Sequence, residues 1–167
     1  MNHMIKRWLA KSLSTSQTNI DNIMREEKAT TYLWVWSIFE QRVFNGFVRF
    51  PDLQNKAKEI SGDFNSLGID SIVNKFYSRY QNPKTFNNLK HKENAQIIKE
   101  LLSKDFDILT DEQKMLLVLY VAYRYRNNIF HGNKGVMSWV HYTEQINDCI
   151  TVMMKITDIV VEKGGDR

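Results

Sequence analysis

Cysteine occurs once in 167 residues, at Cys149, and proline only twice, at Pro51 and Pro83. A lone thiol excludes an internal disulfide and suits a reducing compartment, so a cytoplasmic location is expected. Two prolines and seven glycines are too few for the many tight turns of an all-β fold, and they exclude collagen-like and low-complexity chains. Long hydrophobic runs are missing too. The longest covers residues 115–123, far short of a bilayer span. Residues 1–14 carry Lys6, Arg7 and Lys11 with no apolar core behind them, which argues against a signal peptide. No membrane partner is expected. The histidines His3, His91, His131 and His141 are scattered and show no zinc spacing, so neither metal nor cofactor is expected.

What the chain does have is apolar mass. Hydrophobic residues make up 43% of it, with four Trp, seven Tyr and nine Phe, more burial than disordered chains carry. The length suits one domain over residues 1–167 rather than two well-cored ones. The periodicities are helical throughout, and the fold class expected is all-α, a bundle of four to six helices with an irregular helical middle.

An opening segment at 5–13 places Ile5, Trp8, Leu9 and Leu13 at helical spacing. That pattern suits a short helix docked on the core, or one lying on a membrane surface. A second helix should start near Ser16–Thr18, whose hydroxyls are good N-caps, and end near Asn45-Gly46. Within it Leu33, Trp36, Glu40, Val43 and Phe47 form an apolar stripe interrupted by one carboxylate. Residues 50–110 read as short helical stretches at 53–60, 66–80 and 93–103. The aromatic and basic residues there (Phe76, Tyr77, Arg79, Tyr80, Lys84, Phe86, Lys90, Lys92) suit either single-stranded nucleic acid or an amphipathic surface with its rings in the core. From Thr110, the run Thr-Asp-Glu-Gln is a capping box, and residues 115–125 are apolar nearly all round, as in a central helix. His131-Gly132 supplies its stop. A last helix, about 139–161, turns Val140, Ile146, Ile150, Met153, Met154 and Ile156 to the same core.

Charge is uneven along the chain. The net excess is +4, and no Asp or Glu lies between Gln113 and Thr143, where Lys114, Arg124, Arg126 and Lys134 all fall. Such a segment attracts phosphates or acidic partners, unless helices elsewhere supply the counter-charges. At the end of the central helix, Asn127 and His131 are four apart and share a face. Arg126 and His131 are five apart, about 140° round the axis, so a regular helix keeps them from bonding closely. A frayed last turn, or a second copy across a twofold axis, would bring them together. A plain helix end, with His131 favoured by the dipole, also accounts for these residues.

The run Arg126-Asn127-Asn128-Ile129-Phe130-His131-Gly132 resembles the R-x4-6-H signature of the HEPN superfamily (higher eukaryotes and prokaryotes nucleotide-binding). In that superfamily it likewise ends a buried bundle helix, and a polar residue often follows the arginine. The resemblance implies a metal-independent endoribonuclease of toxin–antitoxin or anti-phage defence type. Arg126, His131 and Asn127 would be its catalytic residues. RNA would be its substrate, contacted by Arg124, Asn128 and Lys134, and a homodimer with an antitoxin or sensor protein its expected partners. The chemistry suits the residue types. Attack by the 2′-hydroxyl needs a proton-transfer group titrating near neutrality, which His131 supplies, and donors on the phosphate, which Arg126 supplies as a fork. Glu40 is expected either to orient Arg126 or His131 from the neighbouring helix, or to sit at the bundle's edge, solvated or beside Arg42. HEPN proteins paired with a nucleotidyltransferase carry R-x4-6-H-x-Y. Asn133 stands in place of that tyrosine here and argues against that mode of regulation. The alternatives are a catalytically silent HEPN module that binds RNA or nucleotides, and a helical adaptor.

Overall fold

The computed structural model describes residues 3–25, 27–90, 95–130 and 142–164, and among them every regular element is helical. In chain order these are α1 (His3–Ser12), α2 (Gln17–Arg25), α3 (Glu27–Phe44), α4 (Phe50–Ile60), α5 (Phe64–Leu67), α6 (Asp70–Tyr80), α7 (Pro83–Leu89), α8 (Ala95–Leu102), α9 (Asp111–Phe130) and α10 (Thr143–Gly164). Five of them form the body of the bundle: α3 lies along α10, α4 and α6 flank α9, and α10 closes on α9. No described helix is long and apolar enough to cross a membrane.

The centre is α9, for the reason its sequence suggests. Gln113 N–H donates to Thr110 Oγ1 (3.3 Å) and Thr110 N–H donates back to Gln113 Oε1 (3.2 Å), so the capping box forms in both directions. Every residue from Met115 to Ala122 is buried, and one cluster of buried side chains extends from Tyr32 to Ile156.

The second expected helix is α2 and α3. Ser16 Oγ accepts the Asn19 N–H at the start of α2. Asn45 (φ 58°) and Gly46 (φ 131°) end α3 in the left-handed region, and the Gly46 N–H reaches back to the Glu40 carbonyl, the long bond of a helix C-terminal turn. Phe47, expected on the α3 stripe, lies beyond this turn and is exposed. Trp36 and Val43 are buried as expected, and Tyr32 and Phe39 with them.

The middle section differs in two places. Residues 66–80 are two helices, because Gly68 takes a left-handed φ of 57° and ends α5. The Lys155 ammonium then donates to the Leu67 carbonyl (2.6 Å). Residues 83–89 form α7, which the sequence reading does not include. Asn82 Oδ1 caps it by accepting the Lys84 and Thr85 N–H groups, and Pro83 occupies its first turn. Phe76 and Tyr80 are buried, while Tyr77 packs on Phe106, so these rings serve the core rather than nucleobases. In α10, Ile146, Met153 and Ile156 face the core. Met154 does not: it is half exposed on the far side. Val140 lies outside the described residues.

Candidate functional site

The last turns of α9 hold most of the residues singled out from the sequence. Helix continues through Phe130, while His131 and Lys134 lie outside the described residues. Three consecutive positions point three ways, as 100° steps require.

Arg124 points into the protein and is 7% exposed. Its Nε donates to the Leu89 carbonyl (2.7 Å) at the end of α7, and its Nη2 donates to Asn128 Oδ1 (3.3 Å). Burial pulls its pKa below the usual arginine value. The expected RNA contact at Arg124 is therefore corrected. Its guanidinium satisfies a carbonyl that α7 would otherwise leave bare, and half-buried Asn128 is drawn into the same bond.

Arg126 is half-buried on the side of α3. Its Nη1 donates to Asn127 Oδ1 (2.9 Å), and its guanidinium stands 5.9 Å from the centre of the Trp36 ring. Trp36 is itself wedged against Phe39 and Tyr123, and its buried Nε1–H has no acceptor among the described residues. The Tyr32 hydroxyl donates to the Ala122 carbonyl, which fixes α3 to α9 one turn before Arg126. Asn127 is 9% exposed. The arginine fork thus rests on an indole face with an amide at its side, which limits its freedom.

The third direction leads through Tyr125 to α6. Its hydroxyl lies 3.4 Å from that of Tyr80, and its ring meets Tyr142 edge-on. Burial pushes the Tyr125 phenol up to about 12. Arg79 sits over the Tyr142 ring at 5.8 Å, makes no ion pair among the described residues, and has a buried Nε with no acceptor there. Arg79 was legible only as one cation in a basic stretch. Its approach to the end of α9 depends on how α6 packs, which no local spacing encodes.

Lys114, counted in the acid-free segment, sits at the far end of α9, beside Asp70 (3.7 Å) and over the rings of Phe64 and Phe106. Of the cations in that segment, Arg126 is the one described residue left at the end of α9 and not turned into the protein, while Arg79 approaches that end from the α6 side, near Tyr125 and Tyr142. Glu40 serves the α3–α4 turn: its Oε1 accepts the Val48 N–H (3.1 Å), in addition to the turn bond at its own carbonyl. The described bond goes to neither Arg42 nor the motif helix. None of the four histidine side chains is among those described, and among the described residues no Cys, Asp and Glu side chains form a group of three able to hold a metal ion.

No known protein family, curated protein or solved structure matches the chain.

Proposed function

We propose that the protein is a metal-independent endoribonuclease of HEPN type, with Arg126, Asn127 and His131 as its working residues. The observation that carries this reading is the state of Arg126: a guanidinium held by Asn127, backed by Trp36, at the end of a buried helix and five residues before the only histidine near it in sequence. In the reaction, the ribose 2′-hydroxyl gives up its proton and attacks the adjacent phosphorus. The P–O5′ bond breaks, the leaving oxygen takes a proton, and the products are a 2′,3′-cyclic phosphate and a 5′-hydroxyl. Arg126 donates to the phosphate oxygens as charge builds on them, and Asn127 keeps the fork aimed. His131 moves the proton. A toxin or defence effector, paired with an antitoxin or sensor, is the biological setting this reading implies.

RNA incubated with purified protein in excess EDTA tests it. Cleavage by wild type and none by His131→Ala is the expected result. Binding without cleavage would favour a silent RNA-binding module. Full activity of His131→Ala in every assay would leave a helical adaptor.

A further inference from the structure

We propose that α1 is a surface-seeking helix whose outward strip of Met4, Ile5 and Trp8, edged by Arg7 and Lys11, docks on an anionic lipid bilayer. The sequence stripe Ile5, Trp8, Leu9 and Leu13 is divided by the structure. Ala10 is buried, Leu9 and Leu13 are half-buried, and Lys6 pairs with Asp21 as α1 packs on α2. Trp8 is 65% exposed, Ile5 46% and Met4 70%. At 100° per residue, Met4, Trp8 and Ile5 fall within about 100° of one another, and Arg7 and Lys11 line one edge of that strip. One apolar strip of this helix is therefore turned away from the protein, while Leu9, Ala10 and Leu13 face it.

Charge decides what covers it. No Asp or Glu occurs before Asp21, and Lys6 takes that one. Arg7 and Lys11 are exposed and make no ion pair among the described residues. A second copy set face to face would bring two basic rows together, which is unfavourable. Nucleic acid would answer the cations but give Met4 and Ile5 nothing to bury against. An anionic headgroup layer over hydrocarbon answers both, with Trp8 at the depth tryptophan favours. A helix of ten residues spans only about 15 Å, so it lies in the surface and does not cross it.

Flotation of the full chain with phosphatidylcholine vesicles, with and without phosphatidylglycerol, tests this. Binding is expected only to the anionic vesicles and is expected to weaken with added salt. The double variant Arg7→Ala/Lys11→Ala should partition about twenty-five-fold less, at roughly five-fold per cation. Trp8→Ala should lose about ten-fold or more. All these side chains are exposed, and unchanged circular dichroism shows that the variants fold. Failure to float with anionic vesicles at low salt overturns the proposal. So does a double variant that loses RNA binding while floating like wild type, or a Trp8→Ala variant that changes only the solution mass. RNA cleavage by the soluble enzyme is a separate readout, so loss of the nuclease reading leaves this test intact.

Discussion

Arg126 and Asn127 are neighbours in sequence whose side chains meet at 2.9 Å, an uncommon contact on a helix, where adjacent residues point about 100° apart. Drawing them together requires the guanidinium to bend across the helix surface, and the Trp36 face supports it in that position. This argument separates geometry from charge. Arg126→Lys keeps the cation and removes the fork, so the cleavage rate should fall about a hundred-fold or more while RNA affinity changes little. Paired single-turnover and filter-binding measurements check both halves. With two His131 side chains at one composite site, one as base and one as acid, the rate in EDTA should rise and fall across a bell between roughly pH 5 and 8. The motif itself was legible because Arg, Asn and His stand in one short run. The indole beneath the arginine was not, since Trp36 reads equally well as one more core residue on its stripe.

At the scale of elements, the ends that use local chemistry were readable and those that use distant partners were not. Thr110 with Gln113, Ser16, and Asn45-Gly46 each place a cap or a left-handed turn within a few residues of sequence, and each forms. Asn82-Pro83 carries an equally local start signal, yet the proline reads as an interruption until the helix after it is seen. The break at Gly68 comes from its left-handed turn, but Lys155 of α10 holds the carbonyl before it and Arg124 of α9 holds the end of α7, both contacts between residues far apart in sequence. Two outcomes follow. Thr110→Ala should cost about 1 kcal/mol in urea unfolding, the usual worth of an N-cap. Arg124→Met should cost about 2 kcal/mol, because the Leu89 carbonyl loses a charged donor in the interior. The folded fraction of Arg124→Met should still bind RNA as wild type does, since this side chain is structural.

For the whole molecule, the interior around α9 is rich in groups that resist ionisation. Burial raises the phenols of Tyr32 and Tyr80, takes that of Tyr125 to about 12, and raises the Cys149 thiol. Each native value lies above its unfolded one, so the unfolded state gives up these protons first as pH rises. Their contribution to stability is complete below the unfolded values and is lost as pH climbs through the native ones. Thermal unfolding followed from pH 8 upward should therefore show a falling Tm, beginning near pH 9, where an ordinary thiol titrates. The all-α class was legible from periodicity and from the scarcity of glycine and proline. How α6 brings Arg79 towards the end of α9 was not, because it depends on packing across the bundle. A homodimer, the assembly the resemblance implies, would bring two copies of these residues to one site. Each copy holds one Arg126 and one His131, five apart in sequence. Sedimentation should then show a dimer. The most direct test of the chemistry is the identity of the ends left on a defined RNA cut by wild-type protein in excess EDTA. The account predicts 2′,3′-cyclic phosphate and 5′-hydroxyl ends, whereas 3′-hydroxyl and 5′-phosphate ends, or an uncut RNA, would contradict it.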